Sequence, residues 1–204
     1  MAIAALVMAG GKATRMQTAI EKPLLKVGGK TMIQHVIDTL RKAESVNRLI
    51  VAVTPSTRHT AGTARALGIE VIETAGEGYA QDVKETVKTL GLKDVVIVVA
   101  DLPFLAPATV NEAVRNYFSR GKPALMVAAP IELFEKYGLK ASYAFNHEGQ
   151  TLVPVGLNVI DGTRINEGKL DETVLVVRDS DLIFNVNTQT DLKLARNHRG
   201  GTTL

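Results

Sequence analysis

The sequence has no cysteine and no tryptophan. Without cysteine there are no disulfides and no thiolate metal sites, which suits a reducing compartment and leads us to expect a cytoplasmic protein. Aromatic residues are scarce, at 4 Tyr and 5 Phe, and none interleaves with a basic run. A nucleic-acid surface needs stacking platforms along a cationic groove, so no nucleic-acid partner is expected. No uncharged apolar run approaches the roughly 20 residues that cross a bilayer, so no membrane span is expected. The chain enters an apolar strand with no basic segment before it, unlike a signal peptide. The four histidines, His35, His59, His147 and His198, show no metal-ligand spacing, and no Gly-x-Ser-x-Gly nucleophile motif occurs. Charge of neither sign dominates: 24 Lys and Arg face 21 Asp and Glu, for a net +3. That balance suits small anionic substrates better than a polyanion.

What the chain does have is apolar content of 46% over 204 residues. This is enough for one core, and the expectation is a single domain over residues 1–204. Apolar runs at Ile3–Met8, Leu49–Val53, Val71-Ile72 and Val95–Ala100 read as strands buried on both faces. They alternate with helical patterns over roughly Thr31–Lys42, a segment capped at Ser56 or Thr57 and ended by Gly68, and a stripe at Val83, Val87 and Leu90. The reading is an α/β fold: one doubly wound, mostly parallel sheet with helices on both faces. After Pro107 come a further helix and a strand at Ala124–Ala129, then a poorly patterned stretch, Pro130–Gly149. Leu152–Ile160 resumes strand character, and its Pro154 points to an edge or a bulge. Val174–Val177 and Ile183–Val186 read as short strands, Thr188 as the cap of a last helix, and 198–204 as a frayed tail. Residues 1–105 form the expected nucleotide-binding half and 106–197 the acceptor side. An apolar face after Pro107 could pair two subunits, which leaves a homodimer open.

The segment after the first strand carries the chemistry. Ala9-Gly10-Gly11-Lys12-Ala13-Thr14-Arg15-Met16 joins a glycine loop to two cations, and Lys22-Pro23-Leu24-Leu25 adds a third. Glycines let backbone N–H groups approach a phosphate, and fixed cations add to them. Neither the P-loop nor the Gly-x-Gly-x-x-Gly pattern is present. A glycine pair alone is read as well by a surface turn. Asp101 ends the most hydrophobic strand, where an ionised carboxylate needs a cation. Mg²⁺ held beside phosphates would supply one, with Asn187 as a second oxygen donor. Asn187 also suits a turn or cap. Asp82, in the first turn of a helix after Gly76-Glu77-Gly78, is first of all an acid favoured there by the helix dipole, and it could also accept from guanine. Right-handed crossovers place strand ends on one edge, so Gly10-Gly11, Thr54 and Asp101 should converge there.

Together these residues resemble the nucleotidyltransferases that include sugar-phosphate nucleotidyltransferases and molybdenum-cofactor guanylyltransferases. The Ala-Gly-Gly-x-x-x-Arg-Met loop, the Lys22 segment, Asp101 and Val186-Asn187-Thr188 carry that resemblance. Glu21–Lys26, Gly76–Tyr79, Leu152–Val159 and Leu182–Thr188 resemble, more narrowly, the archaeal GTP:adenosylcobinamide-phosphate guanylyltransferases. The resemblance implies the nucleotide-diphospho-sugar transferase-like fold and transfer of GMP from GTP to a corrinoid phosphate. It implies Arg15, Lys22 and Asp101 as catalytic residues and Mg²⁺ on Asp101 and Asn187. The nucleotide would contact Met8, Ala9, Gly10, Gly11, Lys12, Thr14, Arg15, Lys22, Thr54, Thr74, Gly78 and Asp82, and the acceptor Pro154, Gly156 and Asn158. Two other readings stand beside it. One is transfer to a molybdenum cofactor or a sugar-1-phosphate, which Met16-Gln17 and Glu21-Lys22 weigh against for the molybdenum-cofactor enzymes. The other is a nucleotide-sensing module without turnover.

Overall fold

The computed structural model describes residues 2–11, 14–16 and 18–200. Its first strand, β1 (Ile3–Met8), is buried on both sides because every side chain from Ala5 onward is apolar. A small hairpin of β2 (Lys26–Val27) and β3 (Lys30–Thr31) leads into α1 (Met32–Lys42). Thr31 caps that helix by accepting from Gln34 N at 3.3 Å. Next come β4 (Val46–Val53), α2 (Arg58–Ala66), β5 (Glu70–Glu73), α3 (Tyr79–Thr89) and β6 (Asp94–Val99). The later half adds α4 (Pro107–Arg120), β7 (Ala124–Pro130), α5 (Ile131–Lys136), β8 (Phe145–His147), β9 (Gln150–Asp161), β10 (Glu172–Val176) and α6 (Gln189–Gly200).

The strands form one sheet in the order β10-β7-β9-β6-β1-β4-β5, with β8 on β9. Only β9 runs antiparallel to its neighbours β6 and β7 among the main-path strands, so the sheet is mostly parallel as expected. Helices cover both faces, but unequally. Among the described residues, α1, α2, α4, α5 and α6 share one core, while α3 alone packs on the other face through Val83 and Val87. No helix among the described residues is long and apolar enough to cross a membrane.

Of the two readings of Pro154, the structure keeps the bulge and not the edge: β9 lies between β6 and β7, and the missing N–H is absorbed by a bulge. Met126 pairs with Asn158 and Ala128 with Pro154, so Val155, Gly156 and Leu157 lie opposite Val127. Ile183–Val186 is not a strand; its backbone turns back, with Asn185 N donating to Ile183 O at 2.8 Å and Val186 N to Asp101 O at 3.1 Å. The stretch 130–149, poorly patterned in the sequence, contains α5, which buries Phe134, and β8, whose Phe145 stacks on Tyr143 with ring centroids 6.2 Å apart. The apolar stripe of α4 is not an exposed pairing face, because Val110, Ala113, Val114 and Tyr117 are buried in the core. Of the tail, residues 198–200 continue α6, and 201–204 lie outside the described residues.

Candidate active site

The parallel strands end on one edge, and the ladder continues a step past each of them. Ala9 N donates to Ala52 O at 2.8 Å, Thr74 N to Val53 O at 2.8 Å and Ala100 N to Met8 O at 3.1 Å. These bonds hold the starts of three loops side by side. The glycine loop therefore lies against the loop after β4: a Cβ on Gly10 would sit 2.5 Å from Thr54 Cγ2. The expected convergence of Gly10-Gly11, Thr54 and Asp101 is what the structure shows.

Two adjoining pockets occupy this edge. One, of about 370 Å³, is lined by Met8, Gly10, Gly11, Thr54, Ser56, Gly76, Gly78, Tyr79 and Asp82. Asp82 is buried, and one of its carboxylate oxygens accepts from Gly76 N at 3.0 Å, which fixes the Gly76 turn at φ +77°. The second, of about 400 Å³, is lined by Ala9, Gly10, Gly11, Arg15, Lys22, Tyr79, Asp101, Asn185 and Asn187. Met8, Gly10, Gly11 and Tyr79 belong to both.

Lys22 and Asp101 form an ion pair in the second pocket, with side chains 21% and 8% exposed. Lys22 Nζ also donates to Asn187 Oδ1 at 3.1 Å. Asn187 is held in turn: its Nδ2 donates to Asn185 Oδ1 at 2.8 Å, and its backbone N to Asp191 Oδ2 at 3.0 Å. Capping of α6 falls to its neighbours. Thr188 Oγ1 accepts from Asp191 N at 3.1 Å, and Asp191 Oδ2 from Thr188 N at 2.8 Å. The Asn187 side chain is thereby left to the pocket. Arg15 stands at the rim, with long contacts of 3.5 Å to Asn187 Oδ1 and 3.4 Å to Ser142 Oγ. Its short helical turn is anchored by fully buried Met16, whose carbonyl accepts from Gln189 Nε2 at 2.8 Å.

The second carboxylate oxygen of Asp101, Oδ1, is buried with no hydrogen-bond partner. An ionised oxygen left so is costly, and an oxygen-loving divalent cation would satisfy it. A carboxylate and an amide oxygen beside phosphate-sized cationic space fit Mg²⁺, which takes few protein ligands and keeps water and phosphate in its shell. No cluster of three or more His, Asp or Glu competes for that role among the described residues.

Other predicted residues fall less directly. Thr74 is buried and donates its hydroxyl to Val53 O at 3.2 Å; Ala75 and Gly76, not Thr74, face the pocket. Lys12 lies outside the described residues, as does the side chain of Thr14. The three acceptor candidates do not share one cavity. Pro154 lines a pocket of about 230 Å³ with Ser142, Tyr143 and Asn187, whereas Asn158 lines a separate groove with Tyr79. Gly156 has φ +86°, and a Cβ there would meet Val99 Cγ2 at 2.4 Å, so its need for glycine is conformational.

Three residues escaped the sequence reading. Glu21 accepts from His59 N at 2.9 Å and from Thr60 N at 2.7 Å, capping α2 from a distance. Ser56 bonds Thr54 Oγ1 at 2.8 Å on the pocket wall. Tyr79 is half-exposed overall, with its hydroxyl on the inner side. Burial pushes that hydroxyl up to about 12, Asn158 opposing and the Asp101 carboxylate adding to it. Tyr79 is therefore a neutral hydroxyl at physiological pH. Its place at the opening of a helix after Gly78 was the available signal.

Cations around a buried carboxylate suit phosphoryl chemistry. The class that fold and site define is the nucleotidyltransferases. The chain belongs to the family of MobA-like NTP transferase domains, which matches residues 5–151. It is 35% identical to the adenosylcobinamide-phosphate guanylyltransferase of Methanocaldococcus jannaschii, over 94% of this chain and 94% of that protein. It is 29% identical to the bifunctional protein GlmU of Exiguobacterium sibiricum over 66% of this chain, spanning only 30% of that protein. In fold it is similar to CMP:2-keto-3-deoxy-manno-octonic acid synthetase solved with CTP, with a TM-score of 0.72, 15% identity, and 98% and 99% of the two chains covered.

The close approach at Gly10 gives a first prediction. Gly10→Ala forces Thr54 to move, and overpacking of this kind costs roughly 1–3 kcal/mol. We expect it to raise the KM for nucleotide by about tenfold with a smaller change in kcat. Initial rates across nucleotide concentrations check this, and an unchanged KM counts against phosphate approach at that loop.

Proposed function

We propose that the protein transfers GMP from GTP to adenosylcobinamide phosphate. An acceptor phosphate oxygen attacks the α-phosphorus, the bond from that phosphorus to the β-bridging oxygen breaks, and pyrophosphate leaves. The observation that carries the reading is the meeting of Lys22, Asp101 and Asn187 with the Gly10-Gly11 loop in two pockets that share a wall. The likeness to the M. jannaschii enzyme across nearly the whole chain supports a corrinoid phosphate as the acceptor.

A phosphate monoester is already anionic near neutral pH, so no strong base is required. Positioning and charge neutralisation then do most of the work. Gly10 and Gly11 bring backbone N–H groups to the triphosphate. Arg15 and Lys12 hold its β- and γ-phosphates and stabilise departing pyrophosphate. Lys22 neutralises the α-phosphate as charge builds there, having already been placed by Asp101 and Asn187. Thr54, Ser56, Gly78 and Asp82 surround the nucleoside, Asp82 offering its second carboxylate oxygen to guanine. Asp101 and Asn187 would hold Mg²⁺, which supplies charge stabilisation at the phosphoryl oxygens.

Thermal-shift titration with GTP, ATP, CTP and UTP in Mg²⁺ tests the nucleotide. GTP should give the largest rise in Tm, by about 3 kcal/mol of linked stability at a hundredfold excess over Kd. A pyrophosphate-release assay with the corrinoid phosphate, a sugar-1-phosphate and a molybdenum cofactor as acceptors tests the rest. Turnover with a different acceptor overturns the corrinoid assignment; nucleotide binding without turnover on any acceptor overturns catalysis.

A further inference from the structure

Among the helices of the described residues, α3 is alone on its face of the sheet. Val83 and Val87 bury Leu6, Ile50, Val95 and Ile97 of β1, β4 and β6 in one cluster, and beyond them Asn158 and Ile160 of β9 are only partly buried. The opening is a groove of about 770 Å³ between α3 and the segment from Ile165 to Glu172. Ile97, Ile160, Ile165 and Leu170 give it an apolar lining, and Gln81, Lys84 and Lys169 give it a polar rim. It is roughly twice the size of either pocket on the sheet edge, and more than three times that beside Pro154.

The groove is not isolated from the chemistry. Tyr79 lines the nucleoside pocket, the Lys22–Asp101 pocket and the groove alike. Asn158, on β9, lines the groove together with Tyr79. A ligand filling the groove could thus send a chain round Tyr79 to the reacting centre. Such a ligand must be broad, largely apolar on its faces and able to hydrogen-bond at its margin. The corrin ring of the proposed acceptor has that character, with amide side chains at its fringe and a phosphate on a flexible arm.

We propose that this groove binds the ring portion of the acceptor, with the phosphate arm passing Tyr79 and Asn158 into the Lys22–Asp101 pocket. The proposal rests on the acceptor being a corrinoid phosphate. It moves the bulk of the ligand off the sheet edge and away from Pro154, whose pocket is too small for a macrocycle.

Two substitutions outside the reacting centre test it. Ala80 is exposed on the first turn of α3, and Ala80→Trp would fill the groove; Leu170→Glu would put a charge on its opposite wall. Each should raise the KM for corrinoid phosphate about fivefold or more, leaving kcat at saturation and the KM for GTP within about twofold. An unchanged Tm and an unchanged GTP thermal shift show that the variants fold. Acceptor KM values equal to wild type in both variants overturn the groove assignment, whatever the rates. If sedimentation then shows the wild type as a dimer and the variants as monomers, the groove belongs to a second copy of the chain. A wild-type protein that transfers no GMP to the corrinoid phosphate overturns the functional reading and this proposal together.

Discussion

Asp101→Asn should lower kcat by roughly 100- to 1000-fold, the range seen when one preorganised electrostatic group at a reacting centre is removed. The substitution keeps shape and removes charge. It takes the counter-charge from Lys22 and the anionic oxygen from the place where Asp101 Oδ1 is buried without a partner. Lys22→Ala should cost about as much, because the ammonium is placed by Asp101 and Asn187 before any nucleotide arrives. Its effect on stability should differ. Lys22→Ala leaves a mostly buried carboxylate without its partner, a loss that reaches about 3–5 kcal/mol in fully buried pairs and is smaller here because Lys22 is partly exposed. Asp101→Asn leaves an ammonium that can still bond to amide oxygens. Since the two residues act as one unit, the double variant should be little slower than either single one. Pyrophosphate release by the three variants, with Tm measured in parallel, checks all of this. Near-native kcat in either single variant, or fully multiplicative losses, would contradict the assignment.

The parts of this site legible in the sequence were those attached to strand ends. β1 and β6 are apolar on both faces, so they read as buried parallel strands, and the residues that follow them had to lie on one edge. Gly10, Gly11 and Asp101 follow from that argument alone. Asn187 was legible as an oxygen donor but not as a side chain released for the site, since its freedom depends on Thr188 and Asp191 taking over the cap. For β9 the sequence left an edge and a bulge open, because Pro154 forbids a regular interior ladder and only the strands on either side decide between the two. α4 was misjudged because an apolar helical stripe carries no label for what it faces. The unequal covering of the sheet was invisible for a related reason. Amphipathic periodicity shows that α3 has a buried face, but not that the other long helices all pack on the opposite side. Glu21 was quoted within a motif yet given no role, since its partners lie 38 and 39 residues away.

Glu21→Ala should lower kcat by about thirtyfold, or about 2 kcal/mol of barrier, although its carboxylate lies outside the reacting pockets. The two oxygens of Glu21 take four hydrogen bonds at the start of α2: from His59 N at 2.9 Å, His59 Nδ1 at 2.8 Å, Thr60 N at 2.7 Å and Thr60 Oγ1 at 2.6 Å. The N-terminal amides of a helix lack partners within it, and neither Ser56 nor Thr57 supplies the side-chain cap of α2. Glu21 does so from another segment, and the next residue is Lys22. Buried Pro23 then fixes the short turn Lys22–Leu24, so the ammonium is aimed by a clamp at each end. Losing the clamp removes a cap, about 1–2 kcal/mol, which for a chain of this size is a fall in Tm of roughly 2–8 °C. Acid should imitate the substitution. Burial works to raise the Glu21 pKa, but the bonds from the Thr60 hydroxyl and the His59 and Thr60 amides outweigh it and hold the carboxyl below its ordinary value. The stabilisation is therefore complete above the ordinary glutamate range and is lost as pH falls through the lower, folded value. In Glu21→Ala that part of the acid loss should be missing, so the Tm difference between wild type and variant should shrink toward low pH. Gln at this position, keeping one acceptor oxygen, should recover part of kcat. A Glu21→Ala protein with a lower Tm but wild-type kcat would make Glu21 a cap and nothing more, and Lys22 would then need no clamp to find the α-phosphate.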